Sequence, residues 1–237
     1  EYDTAQEAFT ARYTHETVAM GFAITEEAIE DNLYDSLSAR YTKALARAMA
    51  YSKQVKAASL LNGAFSGTTY GDGKVLCATD HPLVSGGTNS NRPTVGADLN
   101  ETSLEAAVIQ IGQWTDERGL KIAAQPKKLI IPSDLQFVAT RLLETEGRVG
   151  TADNDINALS NNGSVPGGYT VNHYLTDNNA WFLTTDIPNG MKHFVRAKMA
   201  TSMDADFDTG NSRYKARERY SFGVSDPLGI FGSPGAS

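Results

Sequence analysis

Three aspartates at alternate positions, Asp204, Asp206 and Asp208, have the types and spacing that open a calcium-binding loop, where such carboxylates supply oxygen ligands. The rest of that motif is missing: Thr209 stands where the loop needs a turn glycine, and Lys215 where it needs a bidentate glutamate. A second candidate is Asp80-His81-Pro82, in which an acid beside a histidine base would activate Ser85 as a nucleophile. Nothing in the sequence positions these three together, and His81 reads first as a turn histidine. There is no G-x-S-x-G elbow, H-E-x-x-H pair or Walker A pattern. Gly71-Asp72-Gly73-Lys74 lacks both the glycine spacing and the following Ser or Thr of a phosphate loop. His15, His173 and His193 stand apart from one another. The expectation is therefore no catalytic residue, no metal and no cofactor.

The aspartates have a structural use instead. Taking Gly210-Asn211 as a two-residue hairpin loop, glycine first, sets the partners by counting outward. Asp208 then faces Arg213, Asp206 faces Lys215 and Asp204 faces Arg217 on one side, with Phe207–Tyr214 and Ala205–Ala216 on the other. Three opposite-charge pairs in one register make a charge ladder, each pair contributing roughly 0.2–1 kcal/mol.

The element on which the other parts depend is a long helix predicted over Leu33 to Asn62. Leu33, Leu37, Tyr41, Ala44, Ala48, Tyr51, Val55 and Ala58 recur at steps of four and three, which places them on one face. Gly63 is expected to end it in a left-handed conformation. Before it, Thr25-Glu26-Glu27 reads as a capped helix start with acids near the positive end of the dipole. From Glu1 to about Ala23 the chain is polar with spaced aromatics and is expected to be extended. Too little apolar mass lies there for a core of its own, so it lies either on the rest of the chain or on a neighbour. Phe9, Arg12 and Tyr13 are the candidate intersubunit residues of this arm.

Downstream, Ser66 to Asn91 reads as glycine-rich loop and short strand, with a tight turn at Asp72-Gly73 between Tyr70 and Val75-Leu76. A helix is expected over Thr102 to Gly119 with Leu104, Val108, Ile111 and Trp114 or Thr115 inward. Leu129-Ile130-Ile131 suits a buried strand, and Ser133 would cap a helix through Leu143. Gly147 to Gly168 reads as a long loop. Tyr169 to Leu175 and Ala180 to Thr184 are expected to form a hairpin about Asp177-Asn178-Asn179, and Leu228 to Phe231 a final strand.

Composition narrows the function classes. With 237 residues, 41% of them hydrophobic, the chain can bury a substantial core. Its formal charge of −7 and lack of a basic run disfavour direct DNA binding. Cys77 is the one cysteine, which excludes an internal disulfide framework and fits a reducing cytoplasm. No apolar run approaches a membrane span, so a soluble protein is expected. The sequence opens on Glu1 rather than methionine.

The order of these parts resembles the major capsid proteins of tailed bacteriophages, closest to the Mu-like head-subunit branch. The residues that carry the resemblance are Gly21-Phe22 with Ile24-Thr25 before Asp31, then Leu60-Asn62-Ala64-Phe65, Asp72-Gly73, His81-Pro82-Leu83, and the closing stretch Arg213 to Phe231. It implies an α+β, HK-97-like phage capsid fold with an E-loop, a long spine helix, a peripheral P domain and an axial A domain. The implied division is an N-terminal arm and E-loop region over 1–32, a P domain with spine helix over 33–99 and an A domain over 100–184. Long P-domain strands would follow over 185–226, with a C-terminal strand and tail over 227–237. The resemblance also implies a structural protein, not an enzyme. It would self-assemble into hexamers and pentamers of an icosahedral shell around double-stranded DNA, in the host bacterial cytoplasm, with scaffold, portal and decoration proteins as further partners and no membrane. Encapsulin-type compartments share the fold and would enclose protein cargo. From other classes, an α/β hydrolase using His81, or a carbohydrate- or partner-binding module, are the alternatives.

Overall fold

The structure, a computed structural model, describes residues 9–31, 34–67, 69–148 and 155–236. In chain order its elements are β1 (Glu16–Ile24), α1 (Glu26–Glu30), α2 (Tyr34–Asn62), β2 (His81–Pro82), β3 (Thr88–Asn89), α3 (Glu101–Gly112), β4 (Pro126–Ile131), α4 (Gln136–Leu143), α5 (Ala158–Asn161), β5 (Tyr169–Val171), β6 (Trp181–Thr185), β7 (Met191–Ala205), β8 (Ser212–Val224) and β9 (Ile230–Ser233). The chain forms two interleaved units. One holds residues up to Arg12, Ala58–Lys192 and everything from Val224 on; the other holds Tyr13–Ala57 and His193–Gly223.

The second unit is a helix on a three-stranded sheet of order β1-β8-β7. The expected arm is only partly an arm: from Glu16 it is strand β1, paired antiparallel to β8 from Glu16↔Tyr220 to Ile24↔Ser212. Its small residues explain the fit. Ala19, Gly21 and Ala23 lie opposite Arg217, Lys215 and Arg213, and at Gly21 a Cβ would stand 2.5 Å from the Tyr214 carbonyl oxygen. On the other face, Val18 and Phe22 of β1 and Ala216 of β8 pack against Leu45 and Met49 of α2. Thr25 caps α1 through the Ala28 N–H, as its position implied. Residues 1–8 of the arm, and Leu33, lie outside the described residues.

The helix exists over the expected span, but it turns a different face inward. Leu45 and Met49 are buried in this unit, whereas Tyr41, Ala44, Tyr51 and Val55 of the predicted face are exposed; its Ala58, which belongs to the first unit, is buried as expected. At ~100° per residue the buried face is about one residue step away from the predicted one. Lys53 and Lys56 help to fix this rotation, Lys53 pairing at 2.5 Å with the buried Glu218 and Lys56 pairing with Glu16. An apolar tally cannot see a helix rolled onto its lysines.

The first unit is built on a four-stranded sheet of order β5-β4-β6-β9. β4 is central, parallel to β5 and antiparallel to β6. The expected Asp177-Asn178-Asn179 hairpin is therefore incorrect: β5 and β6 flank β4 on opposite sides instead of pairing with each other. The apolar run Leu129-Ile130-Ile131 explains this, because a buried strand needs partners on both edges to satisfy its backbone groups. Leu104, Ala107 and Ile111 of α3, Ala139 of α4, Trp181 and Phe231 bury one face. Leu61, Ala64, Leu76, Cys77, Phe182 and Ile230 form a second cluster.

Local ends differ in three places. α3 starts at a capping box between Asn100 and Ser103 and stops at Gly112; Gly119, with φ +82, belongs to the turn after Asp116. Gly63 does not take the left-handed conformation; Gly67 N–H bonds the Gly63 carbonyl to continue the turn. The loop over Gly147 to Gly168 contains α5, held by the buried Asn157, whose side-chain amide donates to the Leu142 and Thr145 carbonyls at 2.8 and 3.0 Å. Residues 149–154 of it lie outside the described residues.

Candidate functional site

His81 is fixed rather than poised. It is buried, on the two-residue strand β2, with Nδ1 at 2.5 Å from Asp72 Oδ2 and Nε2 at 3.0 Å from Asn91 Oδ1. Asn91 Oδ1 also accepts the Ala78 N–H at 2.9 Å. Its amide nitrogen lies near three carbonyls, Leu76, Pro227 and Ile230, at 2.7, 2.8 and 3.2 Å. The amide orientation is thereby set, oxygen toward the histidine, so His81 donates at Nε2. Both ring nitrogens are occupied, and neither can take a proton from a hydroxyl. The acid that meets His81 is Asp72, nine residues back, and not the adjacent Asp80, which pairs with Lys74. Lys74 holds the Asp80 carboxyl below its ordinary range. Ser85 is exposed and its backbone bonds Glu117. The hydrolytic trio is not assembled; the cluster is a pin joining the Asp72 turn, β2, the Asn91 segment and the start of β9.

A cleft of ≈ 630 Å³ opens beside this pin in the same unit. Its carboxylates brace loops. Glu117 accepts the Val84 N–H, Asp186 the Gln125 N–H, and Asp116 the N–H groups of Arg118 and Leu120. Asp226 accepts the Leu228 N–H, while burial pushes its carboxyl above the ordinary range. Among the described residues no group of three or more His, Cys, Asp or Glu could hold a metal ion.

The acidic strand end departs from the expected ladder. β7 stops at Ala205 and β8 starts at Ser212. Asp206 N–H bonds the Asn211 carbonyl at 2.9 Å and Gly210 N–H bonds the Asp206 carbonyl at 2.8 Å, so the loop is longer than the two residues assumed. Asp206 therefore lies opposite Asn211 rather than Lys215, and Arg213 reaches Asp206 at 2.6 Å rather than Asp208. Thr209 Oγ1 donates to the same Asp206 carboxylate. Gly210, with φ +67, closes this wider turn from its last position. Asp204, Asp208, Lys215 and Arg217 form no ion pair with one another among the described residues.

Of the arm residues, Tyr13 packs inside the second unit, its ring 4.6 Å from that of Phe194 and against Gly223, where a Cβ would lie 2.2 Å from Tyr13 Cε1. Phe9 in the first unit is half-exposed at the cleft, and Arg12 is exposed. What sequence reasoning missed is Asn91, an asparagine in a loop with nothing in its neighbours to mark it as fully buried. It also missed an exposed apolar row on β7, which the alternation of Val195, Ala197, Met199 and Met203 could have disclosed.

No reacting geometry emerges, and the fold points to shell proteins. The capsid of the Myoviridae phage XM1 matches 94% of this chain and 74% of its own, at 13% identity and a TM-score of 0.55. The capsid of cyanophage P-SCSP1u matches 98% of this chain and 78% of its own, at 12% identity and 0.56. The SrpI encapsulin of Synechococcus elongatus matches 94% and 74%, at 11% identity and 0.56. No curated protein matches by sequence. The profile of the phage capsid protein family matches residues 7–232, nearly the whole chain, and the chain belongs to that family. It is a structural protein with the HK-97-like capsid fold, and its place is the capsid of a virion.

Proposed function

We propose that this chain assembles with copies of itself, as hexamers and pentamers, into the icosahedral shell of a tailed phage or prophage that encloses double-stranded DNA. The observation that carries this reading is the family match over residues 7–232. The charge agrees: at −7 with no basic run, the shell encloses DNA without gripping it. On this reading α2 is the spine helix, residues 100–184 supply the A domain, and 33–99 with the strands over 185–226 supply the P domain. The arm over 1–32 meets a neighbouring subunit through Phe9 and Arg12. Assembly in the host bacterial cytoplasm, and scaffold, portal and decoration proteins as partners, belong to the same proposal. Electron microscopy beside sedimentation of the purified protein tests it. Closed shells or capsomer rings are expected, and a persistent monomer would overturn it. The likeness to the SrpI encapsulin favours one second reading, a compartment with protein cargo. Nuclease-protected DNA in particles from the native host would exclude it.

A further inference from the structure

The second unit carries two exposed apolar rows at opposite edges of its sheet. His193 of β7 packs on Tyr220 and Phe222 of β8, so the odd-numbered residues of β7 share the face that carries Ala216 and Glu218. α2 covers that face over β1 and β8, but the contacts of Leu45 and Met49 do not include β7. The odd-numbered residues from 195 to 205 are exposed as a result. Val195 at 53%, Met199 at 51% and Met203 at 59% form one row on β7, the edge strand of this sheet among the described residues. The second row lies on α2, with Tyr41 at 48% and Val55 at 39%. It faces the β1 side, since the Tyr41 ring meets Phe22.

The rows match in length and in charge. Val195 to Met203 spans about 26 Å of strand, and Tyr41 to Val55 about 21 Å of helix. The β7 row ends at the acidic loop with Asp204 and Asp208. The α2 row begins among Arg40, Lys43 and Arg47, which form no ion pair among the described residues. Aligning acid with base sets the strand antiparallel to the helix, with Val195 near Val55.

We propose that the β7 row of one copy docks on the α2 row of the next, in this antiparallel sense. This rests on the shell reading above. Because the two rows differ, the contact is head-to-tail, the kind that closes rings. It also covers the exposed apolar row, which would otherwise be an aggregation hazard.

The test mixes two full-length chains, one carrying Val195→Cys and the other Val55→Cys, and oxidises the assembled particles. The native Cys77 is buried, and burial raises its thiol pKa, so it contributes little background. A disulfide joining the two different chains is expected. Shells that form without it, or that crosslink Val195→Cys to Tyr41→Cys instead, overturn the docking and leave the shell reading intact; a parental chain that forms no shells overturns both. As a second arm, Asp208→Arg should raise the critical concentration for assembly about tenfold, and Arg47→Asp in the same chain should restore it. No change in either variant would contradict the alignment.

Discussion

Removing the Asn91 amide tests how the first unit is pinned. Its side chain has no accessible surface and meets five partners: the Ala78 N–H, His81 Nε2 and the carbonyls of Leu76, Pro227 and Ile230. Two amide hydrogens serve two of the three carbonyls at a time, so Asn91→Ala removes about four bonds, each contributing about 0.5–1.5 kcal/mol. It also leaves a buried backbone N–H and a buried imidazole N–H without an acceptor. A loss of about 3–5 kcal/mol is expected, a large part of the 5–15 kcal/mol typical of a folded domain. Urea titration of unassembled subunits, followed by tryptophan fluorescence, reads it directly. The two tryptophans, Trp114 and Trp181, are both buried in this unit, and the Trp114 indole donates to the Ser90 carbonyl beside Asn91. The midpoint should fall with the slope unchanged. A loss below about 1 kcal/mol would mean that water replaces the amide and that the pin is not one.

Arg217→Asp should change thermal stability, followed by circular dichroism, by less than about 0.5 kcal/mol, because Arg217 is exposed opposite Ala19; a larger loss would restore the aspartate ladder. Gly21→Val places a Cβ 2.5 Å from the Tyr214 carbonyl and should separate β1 from β8, read as rapid amide exchange over residues 16–24. Protection equal to the parental chain would refute the pairing. Asp226 carries a raised carboxyl pKa, so the folded state holds its proton more tightly than the unfolded chain. That contribution is complete below the unfolded value of about 3.9 and is lost as pH rises through the folded one. Asp226→Asn stays neutral, and its urea midpoint should gain on the parental protein from pH 4 to 7; a constant difference would show the burial to be without effect.

The parts that could be read from sequence were those governed by neighbours along the chain. The span of α2, the cap at Thr25 and the strand Leu129-Ile130-Ile131 follow from propensity, capping and apolar runs. What escaped depended on distant partners. The rotation of α2 is set partly by Lys53 meeting Glu218, and the order of β5 and β6 by what β4 needs on its two edges. The hairpin failed for a narrower reason: glycine with positive φ suits both a two-residue turn and the end of a longer loop, and Asp206 selects the longer one. His81 was read as a turn histidine, whereas it is buried on β2, and its partners, Asp72 and Asn91, were invisible in a stretch of glycine-rich loop.

The pairing of β1 with β8 also has a consequence for how the protein is made. Glu16 waits for Tyr220, about 200 residues later, and at roughly 5–20 residues per second translation keeps β1 without its partner for about 10–40 s. The four crossings between the two units mean that neither can be completed from one continuous stretch of nascent chain. β8 and β9, which follow each other closely along the chain, therefore finish the two units almost together. A subunit cut short by premature termination would have neither unit complete, and so would not enter a growing particle as a half-formed tile.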